Sequence, residues 1–273
     1  MMPVAGRPIV QFAVEEAAAS GLETVILVLR RGKEVIAEHF HSDVALERNF
    51  SHRGCIEDAT AGLCQLLRSV DVRTVWQESP RGLADAIRAA RPLIHDEPFA
   101  VILPDALIDS AVPCTLQLMA CYAQHPGCVV ATQPVDSSEV DRFGILDVVP
   151  LPNTGNGIRT MRVSSLVERP RPGSVSSRYG IFGRYILEPE IFDSIERTLP
   201  GLKGELQLTD ALMVHIAQAP VYACHFEGSH YDVGSKLGFV EASVAYALKD
   251  PEIGSILRKR LASRTCTAAM SVV

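Results

Sequence analysis

An α/β fold built on a doubly wound, mostly parallel sheet is what this sequence predicts, and three observations predict it. Phe99-Ala100-Val101-Ile102-Leu103 is an apolar run that ends on Pro104-Asp105, the pattern of a strand buried on both faces under flanking helices. Other short apolar runs, Thr24 to Leu29 and Cys128 to Thr132, alternate with segments of helical spacing, as in a chain of βα units. Beyond Gly144 the pattern changes to extended segments either side of a turn-rich stretch, which adds a small antiparallel ribbon.

Taken in order, Met1 to Pro8 reads as a strand-to-helix connection with no strand before it. Either a short strand is dispensable or the head of the domain lies outside this chain. Ile9 to Ser20 is helical: Ile9, Phe12, Ala13 and Ala17 share one face, Glu15 and Glu16 another, and Gly21 stops it. Thr24 to Leu29 is a buried strand, and Lys33 to Phe40, Ala45 to Asn49 and Ala61 to Ser69 read as helices, with a loop around Gly54. Thr74 to Gln77 is a short strand and Leu83 to Leu93 a helix leading to the strand before Asp105. Thr115 to Gln124 is a helix, and Cys128 to Thr132 a strand. Ile145 to Val149 and Met161 to Val163 flank Pro152-Asn153-Thr154-Gly155-Asn156-Gly157 as the ribbon, and Pro170 to Ser177 is a loop. Tyr179 to Leu187 and Val221 to Phe226 are strands; Pro189 to Thr198, Leu208 to Ala217, Leu237 to Leu248 and Gly254 to Leu261 are helices, with a frayed end.

The totals bound the function. A chain of 273 residues with 47% hydrophobic and 21% charged residues makes one large globular domain. The net charge of −6 argues against a general nucleic-acid binder. The seven cysteines include no C-x-x-C pair and suit a reducing, cytoplasmic setting; Cys114, Cys121 and Cys128 read as small core residues. No signal peptide and no apolar span of membrane length are seen. His39 and His41 lack a third ligand and read as surface residues.

Five places carry chemistry. Asp105 stands at the carboxyl end of its strand, where open α/β sheets bind ligands; a carboxylate there suits a hard cation, though it also suits a helix cap. Asp232, in Tyr231-Asp232-Val233-Gly234-Ser235-Lys236, again follows a strand and can share a divalent ion with Asp105, while Lys236 can meet a phosphate at a helix N-terminus. Gln77 offers an amide donor and acceptor side by side, suited to a pyrimidine edge. Gly82, where a helix begins, permits close backbone approach, although on the residues alone a plain turn and helix start is the simpler account of that stretch. Glu168 and Arg169 adjoin at a strand end, where an extended backbone points them to opposite sides, one towards hydroxyls and the other towards a phosphate. Glu205, in Gly204-Glu205-Leu206-Gln207-Leu208-Thr209-Asp210-Ala211, leads into a helix.

These strings, in this order, resemble those of the bacterial UTP–glucose-1-phosphate uridylyltransferases, within the sugar-1-phosphate nucleotidylyltransferases. The likeness runs from Pro3-Val4-Ala5-Gly6-Arg7-Pro8-Ile9 to the helix after Gly234; Gly204 to Ala211 resembles a G-E-I-Q-L-T-D-A stretch, Gly183-Arg184-Tyr185 a G-R-Y and Glu168-Arg169-Pro170 an E-K-P. The resemblance implies a Rossmann-like fold and the transfer of a uridylyl group from UTP to glucose 1-phosphate, with release of pyrophosphate. It implies Mg²⁺ on Asp105 and Asp232, with Arg169 also catalytic. It further implies uracil recognition by Gln77 and Gly82, and sugar-phosphate binding by Gly144, Glu168, Arg169, Glu205 and Lys236. A homo-oligomer, dimer or tetramer, with C-terminal helices as contact surfaces, and no nucleic-acid or membrane partner, are implied too.

Two departures stand out. Arg169 replaces a Lys, and the family's opening strand and G-x-G-T-R phosphate loop have no counterpart in this chain. Residues 1–248 are thus expected to form the nucleotidyltransferase domain without that strand and loop, and residues 249–273 a helix and tail. A glucose-1-phosphate thymidylyltransferase shares the Gly82-Leu83-Ala84-Asp85-Ala86 tract, and a non-catalytic binding or regulatory paralogue accounts for the absent loop.

Overall fold

The computed structural model describes residues 2–40, 57–152, 159–201 and 204–269. The expected helix from Ala45 to Asn49, the Gly54 loop, His41 and residues 153–158 of the ribbon turn lie outside the described residues. The chain opens not as a bare connection but as a two-residue hairpin, β1 (Pro3–Val4) against β2 (Arg7–Pro8). Ala5 and Gly6 at its tip both take positive φ, and Val4 is fully buried.

Helix α1 (Ile9–Ala19) follows, then β3 (Thr24–Arg30), α2 (Glu34–Phe40), α3 (Glu57–Ser69) and β4 (Asp71–Gln77). Helix α4 (Leu83–Ala90) stops sooner than its periodicity suggests. Pro92 turns the chain into a 3₁₀ segment, Arg91–Leu93, since proline lacks the N–H that an α-helix needs. Then come β5 (Phe99–Ile102), β6 (Ala106–Asp109), α5 (Cys114–Gln124), β7 (Cys128–Pro134), β8 (Gly144–Pro150), β9 (Arg159–Glu168) and β10 (Tyr179–Leu187). Helices α6 (Ile191–Arg197) and α7 (Leu208–Ile216), strands β11 (Val221–His225) and β12 (Ser229–Asp232), and helices α8 (Lys236–Lys249) and α9 (Gly254–Ala269) complete the order.

Strands and helices alternate as expected. The main sheet has the order β5-β10-β7-β11-β9-β8, and the start of β10 pairs back onto β8. Parallel pairing among the described strands occurs at β7–β11 and in the separate pair β3–β4; the ribbon β8–β9, the pair β6–β12 and the contacts of β10 are antiparallel.

One expectation is corrected here. Phe99 to Ile102 are each only half-buried, because among the described strands β5 pairs with β10 alone. The strand buried on both faces is β10, whose residues from Gly180 to Leu187 are all enclosed, with β5 and β7 beside it. The period of two sorts β7 between two cores: Val129 and Ala131 pack with Leu118 and Cys121 of α5, Cys128 and Val130 with Ile191, Ile195, Leu208 and Leu212 of α6 and α7. Cys114, Cys121 and Cys128 are buried, as their sequence context indicates. Burial pushes the Cys128 thiol up to about 12, which leaves it protonated and unreactive.

The largest fully buried side chain among the described residues is charged. Arg184 on β10 is 1% exposed and bonds both oxygens of Glu16 on α1, at 2.8 to 3.1 Å. Its Nη1 also donates to the carbonyls of Leu103, at 3.0 Å, and Gly183. Thr115 donates to Glu16 through both its amide and its hydroxyl. Burial by itself raises the Glu16 carboxyl, but the bonds and charge of Arg184, together with Thr115, outweigh that and hold it below its ordinary value. Breaking one half of such a pair strands a charge in the core. Arg184→Met is therefore expected to cost about 3–5 kcal/mol in urea unfolding, whereas the double variant with Glu16→Leu recovers part of that loss.

Candidate active site

Asp105 and Asp232 come to one place through backbone pairing. Pro104 and Asp105 turn the chain from β5 into β6; β6 pairs antiparallel with β12 so that Asp232 faces Ala106. Past the last pair, the Val233 amide donates to the Asp105 carbonyl at 2.9 Å. The two aspartates thus lie at the same end of one two-stranded ladder, 127 positions apart in sequence. The Asp105 side chain is exposed and accepts no hydrogen bond among the described residues. Asp232 accepts from the Gly234 amide at 3.1 Å and pairs with Arg142 Nη2 at 2.8 Å. No group of three or more His, Cys, Asp or Glu that could hold a metal occurs among the described residues. Two carboxylates, one unpartnered and one already matched with a cation, nonetheless suit a hard cation completed by phosphate oxygens and water.

Most of the other predicted residues fall into two sets. The first is at the carboxyl ends of the parallel pair, where Gln77 closes β4 opposite Arg30. Gly82 caps α4 with φ 101°, a conformation that only glycine adopts freely. A Cβ there would sit 2.4 Å from the Leu206 carbonyl oxygen. The approach is close because Leu206 is laced to this loop: its amide donates to the Arg81 carbonyl and its carbonyl accepts from Ala84. Glu205 is thereby held beside Gly82, and its carboxylate accepts from Gln207 Nε2 at 2.8 Å.

The second set lies on the ribbon. Gly144 pairs with Glu168 across β8 and β9, and Thr209 on α7 donates to Glu168 Oε2 at 2.6 Å. A Cβ on Gly144 would meet that same oxygen at 3.1 Å. The expected extended geometry at Glu168-Arg169 is corrected. Arg169 takes φ 45°, its amide bonds the Phe143 carbonyl, and its Nε lies 3.6 Å from Glu168 Oε1. The left-handed turn swings the guanidinium back beside its neighbour, so the two form an ion pair. Lys236 is exposed on the first turn of α8.

Two residues, Arg142 and His230, escape sequence reasoning, and a third, Tyr185, is quoted there in a string without a role. Arg142 is remote from Asp232 in the chain and carries no motif. Tyr185 is buried on β10, where burial pushes its hydroxyl up and the charges of Glu168 and Asp105 push it further. His230, between Phe143 and Phe182, is two residues before Asp232, with no spacing to mark it.

Comparison with known proteins gives a consistent picture. The nucleotidyl transferase family model matches residues 1–249. The UTP–glucose-1-phosphate uridylyltransferase of Staphylococcus haemolyticus is 39% identical over 259 residues, which is 95% of this chain and 88% of that protein. Among solved structures, a UTP-bound UGPase from Acinetobacter baumannii is 30% identical with a TM-score of 0.84, covering 96% of this chain and 90% of its own. A UDP-glucose pyrophosphorylase complexed with UDP-glucose is 31% identical with a TM-score of 0.80, covering 92% and 90%.

Burial lowers the His230 imidazole from 6.5 to about 4. The folded state then keeps it neutral where the unfolded chain binds a proton, so stability falls as pH drops from about 6.5 to about 4. Against His230→Asn, the native protein is expected to show a steeper loss of urea midpoint across that window.

Proposed function

We infer the function from one premise: this chain belongs to the nucleotidyl transferase family. It transfers the uridylyl group of UTP to glucose 1-phosphate, forming UDP-glucose and pyrophosphate. A phosphate oxygen of glucose 1-phosphate attacks the α-phosphorus of UTP in line. The new P–O bond forms as the bond to the β-phosphate oxygen breaks, and pyrophosphate leaves with that electron pair. No covalent enzyme intermediate is needed, so positioning and charge neutralisation carry the catalysis.

Residues of this chain divide the work. Gln77 and Gly82 bind the uracil edge, the first through its side-chain amide and the second through its backbone. Gly144, Glu168 and Glu205 hold sugar hydroxyls; Thr209 orients the Glu168 carboxylate. Arg169 and Lys236 meet the phosphate of the sugar. Asp105 and Asp232 hold a divalent cation, Mg²⁺, which offsets the charge of the phosphates when bound. For that, the Arg142 guanidinium yields or shares the Asp232 oxygen it now bonds. The reading is supported above all by the backbone bond from Val233 to Asp105, which sets the two aspartates at the same end of one ladder.

Pyrophosphate release tests this directly. With UTP, glucose 1-phosphate and Mg²⁺ the protein is expected to turn over, and Asp105→Asn to lose roughly a hundredfold or more of the rate. Unchanged turnover in the variant removes Asp105 from the mechanism, and equal turnover of dTTP moves the chain to the thymidylyl branch.

The chain also self-associates in this reading. Leu237, Val240 and Val244 on α8 are 69%, 56% and 38% exposed, at one-face helical spacing, an apolar stripe that suits a second copy. Light scattering at micromolar protein is expected to give a dimer or tetramer mass, and Val240→Glu to shift it to the monomer. A monomer mass for the native protein rules the association out.

A further inference from the structure

The amide of Gln77 is held in one orientation by a residue with no place in the mechanism so far. Asp85, on the first turn of α4, is 7% exposed, and its Oδ2 accepts from Gln77 Nε2 at 2.6 Å. Its other oxygen, Oδ1, pairs with the Arg88 guanidinium one turn on. A carboxylate paired in this way only accepts, so the nitrogen of the Gln77 amide, and not its oxygen, must face it. Gln77 Oε1 accepts no hydrogen bond among the described residues and is not sealed from solvent. Both residues line a cavity of about 270 Å³, with Trp76, Glu78, Arg81 and Arg88 among its walls.

We propose that Asp85 is the positioning residue that makes this cavity select a uracil-type base over cytosine; this rests on the reading that Gln77 binds the base. The physical reason lies in the symmetry of the amide. A primary amide presents a carbonyl acceptor beside an N–H donor. In one orientation that pair matches the imide edge of uracil or thymine, an N–H beside a carbonyl. Flipped by 180°, it matches the edge of cytosine, a ring nitrogen acceptor beside an amino donor. A free glutamine therefore accommodates both. Asp85 forbids the flip, because the flipped amide would place its carbonyl oxygen against a buried carboxylate with no hydrogen between them. Gln77 has two N–H groups, so the bond to Asp85 leaves the second to pair with the base. The arrangement rejects cytosine by an unpaired polar group rather than by shape, the stronger of the two means.

The test is equilibrium binding of UTP and of CTP, without sugar phosphate, to the native chain, to Asp85→Asn and to Asp85→Ala. Both variants accept either amide orientation, the first because Asn itself flips. The ratio of the two dissociation constants, measured on one preparation, cancels any loss of folded protein. The native chain is expected to favour UTP strongly, and both variants to reduce that preference about tenfold or more, with CTP gaining affinity. Arg88→Met, which leaves Asp85 in place, is expected to keep the native preference. A UTP-to-CTP ratio unchanged in both Asp85 variants overturns the role of Asp85 while leaving the uridylyl reading intact. A native chain with no preference for UTP over CTP overturns both.

Discussion

A single buried guanidinium sets the frame of the site. Arg184 lies inside the molecule on β10, neutralised by Glu16 from α1, and it donates further to the carbonyl of Gly183 and to that of Leu103. That carbonyl belongs to the turn carrying Asp105, and the Leu103 amide is bonded back to Gly183. The turn is thus clamped through both peptide groups of one residue. Gly183 has φ 65°, and a Cβ there would come within 3.0 Å of Leu103, so the strand and the turn touch backbone to side chain. A charge so enclosed tolerates no loose partner, and the cost of misplacing Asp105 is linked to the cost of opening the core.

From that fixed turn, ladder chemistry does the rest. Pairing of β6 with β12 carries the second aspartate to the first, and the Ser235 side chain, which accepts from Gly238, starts α8 directly afterwards. Lys236 is therefore delivered at the beginning of a helix, where amide groups and side chain share one electrostatic sign. On the opposite flank, Leu206 serves as a clasp: two backbone bonds join it to the Gly82 loop, so a segment expected to touch the base and one expected to touch the sugar cannot drift apart. Catalysis by positioning needs this kind of rigidity, since misplacement of a reacting group by an ångström costs orders of magnitude.

Much of the fold was legible in advance because hydrophobic period reports directly on local structure. The runs at Thr24, Cys128 and Tyr179 and the helical faces at Ile9, Thr115 and Leu208 all reappear with ends shifted by a residue or two. Strand β6 was not foreseen: Ala106 to Asp109 is too short for a period to show, and it exists because β12 pairs with it. The same limit explains β5, whose apolar content signals burial but not which neighbours enclose it. In the site, residues inside recurring strings were quoted from the sequence, Tyr185 and Asp85 among them, but without a role, since the strings do not show what each side chain touches; Arg142 was not named at all, because its contact with Asp232 spans 90 positions of the chain. Arg169 shows the opposite failure. Its identity was evident, but a backbone in the left-handed region reversed the direction assigned to its side chain.

By itself, then, the sequence determined the alternation of strands and helices, the ordinary globular composition and the set of carboxylates and cations on which the proposed site draws. Those follow from short-range sterics and side-chain chemistry, which act within a few residues. Only the tertiary structure decided that Asp232 stands beside Asp105, that Glu168 and Arg169 turn towards each other, and that a buried aspartate governs the amide of Gln77. Such facts depend on which segments pair, and pairing is settled by the burial and hydrogen bonding of the whole chain at once.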